Sequence, residues 1–526
     1  MSRLGKILLV AFIVGLTLLG VLTVMAKPGS APTAPADGAI IVDTTNPADV
    51  DDGTCSLIEA IIAANSDASY HGCTFIGGPG LVTIYLQASA VYTLTGTHNV
   101  TQGANGLPSI ASTVTIEGQN ATVLRDPAAA NFRIFHVDST GHLTLKNLTV
   151  ASGRTQTSGA WQDQSGGALF SDGSAIALDS CTLQDNVATS GGGGVYMWGG
   201  DLDISDTIFL GNQSGWSGGA ISGSGGPDDA LTVTGSTLTN NVATSMGGGI
   251  YYFGGLTVTD TTIISNTSYG PGGGIYTQAY YLYGHTVSLN DVTIRANTSL
   301  GDGGGMHVGA AAILNRVTID NNRSSANGGG IYMSQYQDAG SLSMTNSTIY
   351  GNAAQISGGG LYVNYPGTGV LVTANIRYTT FASNTATTGA GGSLYNNQSF
   401  VILQSNIVIN GASGSGGANC DGNPTAGLVS YGYNVESGTD CGFTATGDAQ
   451  NATVTLGPLQ DNGGSTHTMA LLSGPAGDLI PLGINGCGTT ITTDQRGASR
   501  PRGIGCDAGA YEGIGWTVKL PLILRQ

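Results

Sequence analysis

Charge is what this chain has least of. Of its 526 residues only 9% are Asp, Glu, Lys or Arg, and four are lysine: Lys6, Lys27, Lys146 and Lys519. A formal charge of −17 with so few cations excludes a basic surface for nucleic acid or anionic headgroups, and leaves neutral or cationic partners. Long apolar runs are equally scarce, because after Ile7–Val24 no stretch is long enough to span a bilayer. Cysteine pairs with zinc-ligand spacing are missing, and no helix follows the glycine runs, so neither a zinc site nor a phosphate-cradling loop is expected.

What is present begins with an export signal. Arg3 and Lys6 precede the apolar run, which ends in Val24-Met25-Ala26, a small-residue pattern suited to signal peptidase. Residues 1–26 therefore read as a signal peptide, with an uncleaved anchor as the competing reading, and 27–38 as a Pro/Ala linker. Seven cysteines suit an exported chain, and six fall into close pairs: Cys55–Cys73, Cys420–Cys441 and Cys487–Cys506 are the expected disulfides. Cys181 is left over, as a packed small residue.

The 86 glycines are not scattered. SGGALF (165–170), GGGVY (192–196), SGGAIS (217–222), GGGIY (247–251), GGGIY (272–276), GGGMH (303–307), GGGIY (328–332), GGGLY (358–362) and GGSLY (391–395) recur every 25 to 33 residues. Between them lie β-branched runs such as LNDVTIRAN (289–297) and LNRVTIDNN (314–322), closing on Asn186, Asn212, Asn241, Asn266, Asn297, Asn322, Asn352 and Asn384. Such a repeat predicts an all-β solenoid, a parallel β-helix with equivalent strands stacked about 4.8 Å apart.

Alternation along the strand places Val195, Ile221, Ile250, Ile275, Met306, Ile331, Leu361 and Leu394 inside, with Leu183, Ile263, Ile294, Ile319 and Ile349 as a second inward stack. The asparagines are expected at bends that need left-handed φ, with coil-to-coil amide bonds, and the glycines at a tight corner. The helical stretch SLIEAIIAANSD (56–67), with Ser56 and Glu59 at capping-box spacing and an apolar face of Leu57, Ile58, Ile61 and Ala64, is expected to cover the first coil.

TCSLIEAIIAAN (54–65) resembles the CSLREA domain that opens many exported bacterial β-helix proteins, with Ile58 where that family usually carries arginine. LGPLQDNGGSTHTMALLSGPAGD (456–478) and TDQRGASRPRGIGCDAGAYE (493–512) are similar to the choice-of-anchor Q domain. GGAL (166–169), GGAI (218–221), FLGN (209–212) and FASN (381–384) resemble, more loosely, the repeats of polymorphic outer-membrane adhesins. These resemblances imply a secreted or cell-surface, right-handed, single-stranded, pectin-lyase-like β-helix, expected to be a monomer. They set the divisions 39–135 (N-terminal cap and first coils), 136–410 (repeats), 411–513 (C-terminal region) and 514–526 (apolar tail).

Two kinds of chemistry compete. Pectin-lyase-like solenoids include sugar enzymes, and a lyase or hydrolase would need converging carboxylates, or a basic residue with a calcium site. Asp260, Asp291, Arg316, Arg295 and Asp320 are the candidates, and calcium enters only with them. Polygalacturonase NTD and RIK signatures are absent, and the same residues also read as turn formers plus an exposed inter-coil ion pair, Arg295–Asp320. Asp494, Arg496, Arg500, Asp507 and Glu512 read as a structural salt-bridge network.

The second candidate is the residue after each inward aliphatic: Phe170, Tyr196, Ser222, Tyr251, Tyr276, His307, Tyr332, Tyr362 and Tyr395, an outward column in which eight of nine carry a ring. Trp198 and Phe253 lie on the same face, with Tyr280, Tyr281 and Tyr283 nearby. Such a strip would bind polysaccharide or cell-envelope glycan through apolar sugar faces, or would serve only to stiffen the sheet. An adhesin or glycan-contacting surface protein is the expected function, with a polysaccharide lyase and a ligand-free envelope component as alternatives.

Overall fold

The computed structural model describes residues 38–76, 80–278, 284–334, 340–365, 367, 371–422 and 427–514. The expected signal peptide, the linker apart from Gly38, Tyr280, Tyr281, Tyr283 and the tail beyond residue 514 lie outside the described residues.

The repeat folds as the periodicity predicts, into a parallel β-solenoid of about twelve coils. One coil runs through strands Ile250–Phe253, Gly255–Thr259, Thr262–Ile264 and Thr267–Ser268, and each pairs in parallel with its equivalent in the next coil. The Ile250–Phe253 strand belongs to an eleven-stranded sheet, the short Thr267–Ser268 strand to a nine-stranded one, and the other two to a sheet of twenty-five strands. Both predicted inward stacks are buried, and Phe209, Leu238, Phe381 and Val408 extend the second.

Three corners close each coil, and each has its own chemistry. One is the column Asp206, Asp260, Asp291, Arg316, Asn346 and Tyr378, all with φ between +46° and +59°. A second uses the residue just before each ladder asparagine, such as Asp185, Asn240, Ser265, Ala296 and Asn321, again left-handed. The ladder asparagines themselves do not take left-handed φ; this corrects the expectation from sequence. Their job is inside: each is fully buried with its Nδ2 donating to a carbonyl of the preceding coil, and between the ends of the ladder Nδ2 also donates to the Oδ1 of the next asparagine while Oδ1 accepts the preceding asparagine's backbone N–H, as at Asn297. Backbone groups that turn away from the sheet are thereby satisfied in a dry interior.

The third corner is the glycine run. Gly247 takes φ +65°, and a Cβ on Gly248 would fall 2.3 Å from the Gly273 carbonyl oxygen of the next coil. The third position tolerates Ala220 and Ser393, so the first two glycines carry the requirement.

Helix α1 (Leu57–Ser66) has the capping box of Ser56 and Glu59, and Leu57, Ile58, Ile61 and Ala64 join the same apolar core as the coil interiors. The disulfides Cys55–Cys73, Cys420–Cys441 and Cys487–Cys506 are all formed, and Cys181 is buried with its thiol pushed up to about 12 by desolvation. No helix among the described residues is long and apolar enough to cross a membrane.

After the last coil the chain turns back and lies along the solenoid. The hairpin Thr455–Gln460 and Thr468–Ser473, with Ile480 and Ala508, packs on the outward residues Tyr378, Ala382, Ile407 and Ile409 as a second core. Gln495, fully buried, donates to Thr318 and Thr466 at 2.8 and 2.9 Å and accepts from Thr348 at 2.7 Å. Arg496–Asp494 and Arg500–Glu512 form the predicted network, with the Asp507 N–H donating to Glu512.

Two substitutions at one corner should move stability in opposite directions. Asn297→Ala leaves the Asn266 N–H without its acceptor in the core and removes the amide bond to the Ile263 carbonyl, and should cost about 2 kcal/mol or more. Ala296→Gly, at an exposed left-handed position with φ +53°, should gain about 1 kcal/mol. Urea unfolding midpoints of the two variants check both.

Candidate functional site

Side chains alternate about the strand, so the residue after each inward aliphatic points outward and meets its equivalent one strand spacing away. A single flat ring on such a spacing exposes both faces; a continuous column covers all but the ends. The column is built this way. His136, Phe170 and Tyr196 stack at 5.9 and 5.6 Å, and Tyr251, Tyr276, His307, Tyr332, Tyr362 and Tyr395 stack at 4.8 to 5.5 Å. The rings cover one another's faces, and Phe170 and Tyr276 are buried, so along most of its length the column presents ring edges to the outside.

The exception is Ser222. Between Tyr196 and Tyr251 the column loses its ring, and the next outward position, Ser224, is small as well, between Trp198 and Phe253. The result is a cleft of about 490 Å³, within the usual range for small-molecule sites. Tyr196, Trp198, Tyr251 and Phe253 wall it, as residues singled out from sequence. Trp161 and Trp216, which sequence reasoning missed, complete it.

Trp161 comes from the loop before the first glycine corner and packs on Trp198, Tyr196 and Phe170 at 4.9, 5.4 and 6.1 Å. Arg133 holds this loop: its guanidinium lies over the Phe170 ring at 4.7 Å, and Nη2 donates to the Gln162 carbonyl. Trp216 stands in the turn just before the Ser222 coil, 6.5 Å from the Tyr251 ring. A signal was available, since the chain has four tryptophans and Trp216 falls in the same coil as the one ringless rung.

All three tryptophans among the described residues thus meet in one cleft, and Trp198 and Trp216 remain about half exposed (50% and 52%). Exposed indoles grouped this way are unusual on a surface that buries other rings. The cleft is also neutral. Its remaining lining is Ser190, Ser217, Ser222, Gly223, Ser224 and Gln278, and none of these residues bears a charge. Burial pushes the Tyr196 hydroxyl up to about 12 and raises Tyr251 further, so both stay protonated donors.

The charged candidates lie elsewhere and separate into two pairs. Arg316 Nε donates to Asp291 at 2.8 Å, with Asp260 exposed in the coil before. Arg295 donates to both oxygens of Asp320, but this pair is not the exposed one expected. Asp320 is 1% exposed, because the returning C-terminal segment covers it, and His467 Nδ1 accepts from Arg295 Nη2 at 3.0 Å. Burial pushes the Asp320 carboxyl up, against the pull of Arg295.

Among the described residues, Asp49, Glu59 and His71 are the one group of three metal-capable side chains within 4.8 Å. Glu59 is already used by the helix cap and by the Val50 N–H, and His71 Nδ1 lies 3.1 Å from it. Hydrogen bonding accounts for this cluster.

Residues 133–339, which include every described wall of the cleft, match the model of the right handed beta helix region family. No curated protein matches the chain. The family match and the parallel register agree on a right-handed parallel β-helix.

His307 tests how dry the ring column is. Burial between Tyr276 and Tyr332 lowers its imidazole to about 4, against about 6.5 in an unfolded chain. The unfolded chain therefore binds more protons between those values, so stability should fall as pH drops from about 6.5 to about 4 and level off below. His136, also lowered to about 4, adds with the same sign. His307→Phe keeps a ring and should shrink the drop in unfolding midpoint between pH 7 and pH 4; an unchanged drop would show that protons already reach the ring in the folded protein.

Proposed function

We propose that this is an exported β-helix protein, secreted or held at the cell surface, that contacts uncharged glycans through the aromatic cleft. The observation that carries the reading is the meeting of three tryptophans, two tyrosines and a phenylalanine around a neutral floor of serines. Aromatic faces are complementary to the C–H faces of sugars, and serine and glutamine groups to their hydroxyls. A rigid solenoid wall offers such a platform at little conformational cost.

An adhesin or glycan-contacting role fits better than catalysis. Hydrolysis needs two carboxylates about the scissile bond, and no acid lines the cleft. Four of the five charged candidates are paired, Arg295 with Asp320 and Arg316 with Asp291, and the first pair lies beneath the C-terminal segment. Export is supported by three disulfides. Helix α1 is read as the solenoid's N-terminal cap, stapled by Cys55–Cys73, in keeping with the CSLREA-like start; the choice-of-anchor Q-like end would then deliver the surface attachment.

Screening the protein on an array of neutral and acidic glycans should give binding confined to neutral chains. Trp198→Ala and Trp216→Ala, both at half-exposed positions, should each weaken that binding about tenfold with little change in folding. Full affinity in both variants would remove the cleft from the interaction. Incubation with polyuronides and calcium should give a flat absorbance trace, and a rise from unsaturated products would turn the reading to a lyase.

A further inference from the structure

The cleft is not merely aromatic; it is the place of one missing member in a periodic stack. From His136 to Tyr395 each coil contributes one ring, and the coil Ile221–Ser224 contributes a hydroxymethyl group. Stacked strands are about 4.8 Å apart, so Tyr196 and Tyr251 stand two spacings apart, roughly 9.6 Å. Neighbouring rings elsewhere in the column sit 4.8 to 5.9 Å apart. Ser222 itself is 1% exposed, with its hydroxyl 3.3 Å from that of Ser217, so the gap opens outward at Ser224; its span between the flanking rings is about one six-membered ring thick.

Building on the glycan reading, we propose that a single neutral hexopyranose unit of the ligand enters this vacancy between Tyr196 and Tyr251 and completes the column. A flat hydrocarbon ring would satisfy the walls but not the edge, where Ser224 and Gln278 are part exposed and present hydroxyl and amide groups. A pyranose satisfies both, with C–H bonds toward the tyrosines and hydroxyls toward the serines, Gln278 and solvent.

The two-sided slot also sets configuration. A pyranose whose hydroxyls are all equatorial offers axial C–H bonds on both faces, so both tyrosines gain contact. An axial hydroxyl, as at C2 or C4 of the other common hexoses, would press a polar group against a ring without a partner. The preferred ligand is thus a neutral glucan-type chain with equatorial hydroxyls. Uronates are disfavoured because no cation lines the cleft to receive their carboxylate.

The test is titration of the full protein with β-1,4-linked glucose tetrasaccharide, followed by tryptophan fluorescence and calorimetry. Mannose, galactose and galacturonate oligomers and an indole-bearing peptide serve as comparisons. Wild type should bind the glucose oligomer at least tenfold better than the others. Ser222→Tyr, which restores the ring that most neighbouring coils carry, should lower that affinity thirtyfold or more while leaving circular dichroism and the unfolding midpoint equal or higher. Ser222→Ala should change it less than threefold. Should Ser222→Tyr fold poorly, Ser224→Trp fills the adjacent outward position and should block in the same way.

If wild type binds a neutral glycan and both filled variants bind it equally well, the slot is wrong and the glycan reading stands. Equal binding of mannose or galactose oligomers overturns the configurational part, and tighter binding of the indole peptide overturns the sugar. If no neutral glycan binds wild type, the glycan reading and the slot fall together.

Discussion

The constraint on which this structure depends is the spacing of parallel strands, about 4.8 Å, repeated from coil to coil. Backbone hydrogen bonding imposes it, and every side chain then lies beside its own equivalent. A residue type is acceptable in such a column only if it can tolerate copies of itself at that distance. Aliphatic residues do so by packing, asparagines by bonding amide to amide and amide to backbone, and aromatic rings by stacking. Charges of one sign do so poorly, and Arg295 and Arg316 each pair with an acid of a neighbouring coil, Asp320 and Asp291.

The same constraint gives a small deletion a large effect. Removing one ring from a continuous column uncovers the faces of two others, without disturbing the strand beneath. In the Ser222 coil this happens at two successive outward positions, and Trp161, from the loop before the first glycine corner, and Trp216, from the turn just before Ser222, close around the opening. Rigidity makes the opening durable, because neither wall can relax toward the other while the sheet holds its spacing. A binding surface arises from the absence of two side chains on a scaffold whose regularity defines what is missing.

The C-terminal segment explains why the charged residues do not form a comparable site. Thr318, Thr348 and Thr380 make an outward column that looks solvent-facing from sequence, yet all three are buried, and Gln495 and the Ala510 N–H use their hydroxyls. The segment draws Arg295–Asp320 under cover and adds His467 to it. A buried pair of this kind is held by geometry and hydrogen bonds rather than by strong net attraction, because desolvation offsets much of the Coulomb energy.

Much of this was legible in the sequence, because a solenoid writes its structure as a period. The inward stacks, the ring column, the glycine corner and the three disulfides follow from spacing and alternation, which are local properties. The role of the asparagines was legible only in part: a repeated Asn marks a corner, but backbone geometry decided that its neighbour takes the left-handed turn while the amide faces inward. Two things were decided by tertiary structure alone. Chain return brought residues 455–512 onto coils more than a hundred positions earlier, and loop packing brought Trp161 and Trp216 to the gap at Ser222. Neither has a period, and contacts between segments so far apart depend on the three-dimensional path that the repeat lays down.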